Sequence, residues 1–180
     1  MRSLRPVAAL AATALLAACA SAPRAPQPAA EALPARPASA ATGTAQRAIA
    51  NLAASSGTLV SGRMELRAEP GGVRVGGEIG GLTRNGAHVL QVHERGDCSA
   101  VDASSAGPYF DASGAGPAGG HPERIVADPR GVARVDLRLP GAVLGGGAGN
   151  DIAGRALVVL GSTRGATGAR VACGVITAQP

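Results

Sequence analysis

Few side chains in this sequence could do chemistry. There are three histidines (His88, His93, His121), three cysteines (Cys19, Cys98, Cys173) and one tyrosine, Tyr109. Gln91-Val92-His93 sits in an alternating stretch, 87–94. Side chains at i and i+2 of a strand share a face, roughly 6–7 Å apart at the backbone. An amide and an imidazole are therefore presented together. The imidazole could hold a transition metal, for which a neutral amide oxygen is a poor ligand. His121 follows two glycines and precedes Pro122, in a stretch of about thirty residues between Cys98 and Asp128 with little periodicity. Loops of that length in compact domains are usually functional or the remnant of a function. Arg170, near the C-terminus, could attract an anion.

The third cysteine belongs to a different part of the chain. Arg2 and Arg5 give a positive start, and 6–18 is an apolar run too short to span a bilayer. It ends in Leu16-Ala17-Ala18-Cys19, which resembles the bacterial lipobox. That resemblance implies a signal peptide over 1–18 and lipidation of Cys19. With Ala20 rather than an acid next, it implies an outer-membrane address facing the periplasm. Cys98 and Cys173 then remain as a pair in an oxidising compartment. Residues 19–56 read as a tether. Prolines at 23, 26, 28, 34 and 37 fall in an Ala-rich segment without apolar period. Within it, 44–54 fits a short helix with Thr44 as cap.

The domain that must position these residues spans 57–180. Its apolar content is mostly aliphatic and small, with one Phe and no Trp, a composition suited to strands. Val60, Met64, Leu66 and Ala68 alternate with Ser61, Arg63, Glu65, Arg67 and Glu69. A Pro70-Gly71-Gly72 turn follows, then a second alternating run, 73–80. Further strands fit 87–94, 133–139, 156–161 and 171–178, separated by Gly-rich segments over 99–127 and 140–153. This pattern predicts an all-β sandwich or barrel. All 17 basic residues are Arg, and net charge is +5; from Cys19 onward 15 Arg face 12 acids, leaving +3. They are scattered along the chain with almost no aromatic residues, which argues against nucleic-acid binding and leaves a weak attraction to anionic surfaces.

Several motifs, in order, resemble the copper/zinc superoxide dismutase family. They are Gly81-Leu82-Thr83, then His88-Val89-Leu90-Gln91-Val92-His93-Glu94-Arg95-Gly96-Asp97-Cys98, then Ser105-Ala106-Gly107-Pro108-Tyr109-Phe110-Asp111. Next come Ala127-Asp128-Pro129-Arg130-Gly131, Gly154-Arg155-Ala156-Leu157-Val158-Val159-Leu160 and Gly168-Ala169-Arg170-Val171-Ala172-Cys173-Gly174-Val175-Ile176. The likeness covers about 58–178. It implies a Greek-key β-barrel with a Cys98–Cys173 bridge tying a long loop to the barrel.

It also implies copper and zinc, and here the sequence departs from the pattern. Of the four copper positions only His93 matches; Gln91, Tyr109 and Leu160 stand at the others. A phenol of pKa about 10 ligates only when deprotonated, and leucine cannot ligate. For zinc only His121 lies in the loop, with Asp111, Glu123 and Asp128 as candidate helpers, whereas structural zinc needs four ligands. The segment between Leu160 and Arg170 has no acid to link two metal sites. Arg170 matches the family's substrate-steering arginine and is read as a relic or loop anchor. His88 matches a structural histidine, and Arg155 is expected to pair with an acid. Tyr109 is expected to pack into the vacated space or to hydrogen-bond His93. The leading reading is a dismutase-like envelope lipoprotein with little or no dismutase activity and no bound cofactor, serving as a binding or structural module. Its partners would be the membrane, through Cys19, and an envelope protein or a second copy. The rival readings are an active dismutase with an atypical site, and a weak copper- or zinc-binding protein using His93, Tyr109 and His121.

Overall fold

In a computed structural model, residues 43–114, 123–163 and 166–180 are described. Among the described residues nine strands form, in the order β1 (Arg47–Ala54), β2 (Ser61–Glu69), β3 (Gly72–Gly80), β4 (Ala87–His93), β5 (Glu123–Val126), β6 (Ala133–Pro140), β7 (Ala156–Thr163), β8 (Ala166–Val175) and β9 (Thr177–Gln179). The sheet order is β5-β4-β7-β8-β1-β2-β3-β6, with β9 added to β1. Every strand pairing is antiparallel. The end strands β5 and β6 approach each other, so the sheet nearly closes into a barrel. The β3–β6 and β4–β7 neighbours are Greek-key crossings.

Alternation builds the interior as the sequence predicts. Met64 and Leu66 of β2, Val73, Val75 and Ile79 of β3, Leu90 and Val92 of β4, and Leu157 and Val159 of β7 are all buried in one cluster. Two elements differ from expectation. The helix expected over 44–54 is strand β1: Ala48, Ala50 and Leu52 are buried while Arg47 and Asn51 are exposed, a period of two. The apolar spacing Ile49–Leu52 suggested a helical face, but pairing with β2, β8 and β9 decides the conformation. The barrel therefore begins about ten residues before position 57. The second difference is β5, which lies inside the stretch read as loop; its four residues are too short to show a period.

The turn over 127–131 is held by Asp128, whose Oδ1 accepts from the amides of Arg130 (2.8 Å) and Val132 (3.0 Å). These bonds hold its carboxyl below the usual range. Gly131 takes φ +82°, and its carbonyl accepts from the amide of Leu82 (3.0 Å), pinning the β3–β4 crossover to this turn.

Candidate functional site

The pleat of β4 sends His88, Leu90 and Val92 inward and Gln91 and His93 to the opposite, outer face. That outer face is not open to water. The segment following β4 folds back over it, and Ala103, Ala106, Ala156, Val158 and Cys173 form a second apolar cluster, joined by Cys98 and Leu160. His93 is thereby only 2% exposed. The Cys98–Cys173 disulfide spans 75 residues and ties the loop to β8.

Both ring nitrogens of His93 have partners. Nδ1 lies 2.7 Å from the Gly107 carbonyl, and Nε2 lies 2.8 Å from Nε2 of Gln91. A carbonyl only accepts, so the proton sits on Nδ1. Nε2 then carries the lone pair and accepts from the Gln91 amide. Burial pushes the His93 pKa down, the Gly107 bond opposes this, and the charge of Arg170 lowers it further. The ring is neutral at pH 7.

Tyr109 faces His93 through an isolated antiparallel bridge, flanked by bonds from the Phe110 amide to the Val92 carbonyl (2.9 Å) and from the Glu94 amide to the Pro108 carbonyl (3.0 Å). The alternative of a Tyr109–His93 side-chain hydrogen bond is not realised, because Gln91 and Gly107 hold both ring nitrogens. Burial raises the phenol pKa, helped by the charges of Asp111 and Glu123, so it stays protonated. Leu160 is opposite Val89 in the β4–β7 ladder and packs in the outer apolar cluster. His121 lies outside the described residues, as does Cys19. Among the described residues no group of three or more His, Cys, Asp or Glu converges as a metal site.

Arg170 is half-buried on β8. Its Nη1 donates to the Ala103 carbonyl and its Nη2 to the Gly107 carbonyl, each at 2.7 Å. Both donors thus hold the covering segment. Arg155 differs from expectation. Among the described residues it makes no acid pair; it donates to the carbonyls of Asp151 (2.7 Å) and Glu94 (2.8 Å), and its guanidinium lies 3.5 Å over the Phe110 ring. The carboxylate of Asp151 was not singled out by the sequence. It accepts from the amides of Gly145 (2.8 Å), Gly147 (2.9 Å) and Ala153 (2.8 Å), organising the Gly-rich connection before β7. A glycine run followed by an acid is the signal that could have identified it.

His88 is inward-facing and 5% exposed, and among the described residues neither ring nitrogen has a partner. Its ring is wedged between Gly86 and Gly161: a Cβ on Gly161 would come within 2.8 Å of Nδ1. It stands on the opposite face of β4 from Gln91 and His93 and cannot join them at one centre. A recess of about 860 Å³ at one barrel end is walled by Pro70–Gly72, 111–114 and 141–144, and none of positions 91, 93, 109, 160 or 170 lines it.

The comparisons agree with this architecture. No curated protein matches the chain. The family model of copper/zinc superoxide dismutase matches residues 60–176, which include seven of the nine described strands and both disulfide cysteines. With most of its length inside that match, the chain belongs to the copper/zinc superoxide dismutase family.

Proposed function

We propose that this chain is a lipid-anchored protein of the cell envelope that keeps the dismutase barrel without dismutase activity and serves as a binding or structural module. The observation that carries this reading is the state of His93. The family implies copper, and copper cycling between two oxidation states needs several imidazole donors. Here the one imidazole at a copper position has its Nε2 lone pair occupied by Gln91 and its Nδ1 proton on Gly107. Gln91 spends its amide on that bond, Tyr109 is a neutral phenol, and Leu160 has no donor atom. These residues do not fit copper. What they fit is a closed hydrogen-bonded and apolar contact between barrel and loop.

The envelope location rests on Leu16-Ala17-Ala18-Cys19 and on the disulfide, which persists in oxidising compartments. Cys98 and Cys173 pair with each other, leaving Cys19 for lipid. The outer membrane, facing the periplasm, is the address that Ala20 supports.

The test is one preparation of the full-length protein processed in a bacterial host. After exposure to excess copper and zinc and removal of loose metal, the account expects less than one-tenth copper per chain and superoxide decay at the buffer rate. Stoichiometric copper with chelator-sensitive superoxide removal would establish the rival, an active dismutase with an atypical site. Mass analysis of the N-terminal peptide reads the anchor: a diacylglycerol adduct on Cys19 is expected, and an unmodified Cys19 contradicts it.

A further inference from the structure

The arginines that look scattered in sequence are aligned by the register of the sheet. Arg47 of β1 lies directly opposite Arg67 of β2, Arg67 opposite Arg74 of β3, and Arg74 opposite Arg138 of β6. All four are exposed on the outer face. With strands about 4.8 Å apart, they form a cross-strand row roughly 14 Å long. Like charges directly opposite in a sheet repel, so such a row opposes stability unless something offsets it. Acids offset the middle of it. Arg67 pairs with Glu65 (3.1 Å), and Arg74 with Asp136 (2.6 Å) and Glu69 (4.0 Å). The ends are not offset. Among the described residues Arg138 donates only to the Pro70 carbonyl, and Arg47 has no acid partner.

We infer that this row is a docking face for an anionic lipid surface. Guanidinium groups match phosphate oxygens as forked donors. Four of them in a line, on the outer face of a sheet, suit a surface bearing many phosphates better than one small anion. The point where the chain enters the barrel selects the occupant. Arg47 opens β1, four residues after Gly43, so the segment leading back toward Cys19 joins the barrel at one end of the row. This inference rests on the anchoring reading: a lipid on Cys19 brings that end of the barrel to the membrane first.

The test uses the processed full-length protein and two vesicle types, phosphatidylcholine alone and phosphatidylcholine with phosphatidylglycerol. Neutral vesicles read the anchor; the extra binding to anionic vesicles reads the row. Arg47→Gln with Arg138→Gln removes the two arginines that have no acid partner, so no acid is stranded. Arg84→Gln with Arg124→Gln removes the same charge from exposed sites outside the row. A basic residue at an anionic surface contributes about fivefold in binding. The row variant is therefore expected to lose about tenfold or more of the anionic increment, and the control variant less than about threefold. Raising salt to about 0.5 M should collapse the increment. Equal losses in both variants would show a net-charge effect and overturn the row, as would no loss in either. Failure of every form to bind neutral vesicles would refute the anchor alone, and the anionic arm would still decide the row.

Discussion

His93 and Arg170 meet on one atom, the carbonyl oxygen of Gly107, each from 2.7 Å. One comes from β4 and the other from β8, so this oxygen joins two strands to the segment that covers them. The neutral imidazole and the charged guanidinium use the same acceptor from two directions, which a carbonyl with two lone pairs permits. The two bonds fix the guanidinium over the covering segment while it keeps its charge and its remaining N–H groups.

Loss of Arg170 should loosen the covering segment. Hydrogen bonds from a charged donor contribute about 1.5–3 kcal/mol. Arg170→Met is expected to lower unfolding free energy by about 2–3 kcal/mol in chemical denaturation, with faster amide exchange at Ala106 and Gly107, whose amides close a short 3-10 turn over Ser104–Ala106. Unchanged stability and unchanged exchange would mean that the guanidinium does not hold the loop.

The depressed pKa of His93 predicts an acid-side loss of stability. Its folded pKa lies below the unfolded value near 6.5. Above about 6.5 the ring is neutral in both states. As pH falls below 6.5 the unfolded chain takes up a proton that the folded chain refuses, so stability declines until the folded pKa is passed. His93→Gln should flatten this part of the profile. A parallel decline in wild type and variant between pH 6.5 and 5 would assign the effect to another group.

The disulfide closes a 75-residue loop. Chain-entropy arguments give about 4 kcal/mol for a loop of that length. Reduction, or the double substitution Cys98→Ala with Cys173→Ala, is expected to lower stability by about 3–5 kcal/mol, measured by denaturant titration. A change under about 1 kcal/mol would show that the apolar cluster around Ala103, Ala106 and Val158 holds the loop unaided.

Gly161→Ala tests the packing of His88. The added Cβ would sit 2.8 Å from Nδ1 of a ring that is buried and wedged. Overpacking of this kind costs about 1–3 kcal/mol, read as a lowered melting temperature. Full tolerance would mean that His88 moves freely.

Much of this was legible in the residues, and the exceptions have physical reasons. β2, β3 and β6 announce themselves by alternation, since one face is buried and the other wet. β1 reads ambiguously, because alanines satisfy both periods and the deciding partners lie far along the chain. The four positions 91, 93, 109 and 160 were identifiable from the motifs that surround them. Their local state was not: that Gln91 donates to His93, or that Gly107 receives both His93 and Arg170, depends on how the covering loop descends. The Arg47–Arg67–Arg74–Arg138 row was invisible for the same reason, as register is set by pairing and not by sequence distance.

The Nε2 lone pair of His93 is committed to Gln91, and the proposed loss of the copper site turns on that bond. Titration of the isotopically labelled protein with copper(II), followed through the His93 ring nitrogens by NMR, tests this directly. The predicted result is a neutral ring protonated at Nδ1 that keeps its resonances through one equivalent of copper. Selective broadening of the His93 nitrogens at substoichiometric copper, abolished in His93→Gln, would show a metal ligand at that position and contradict the account.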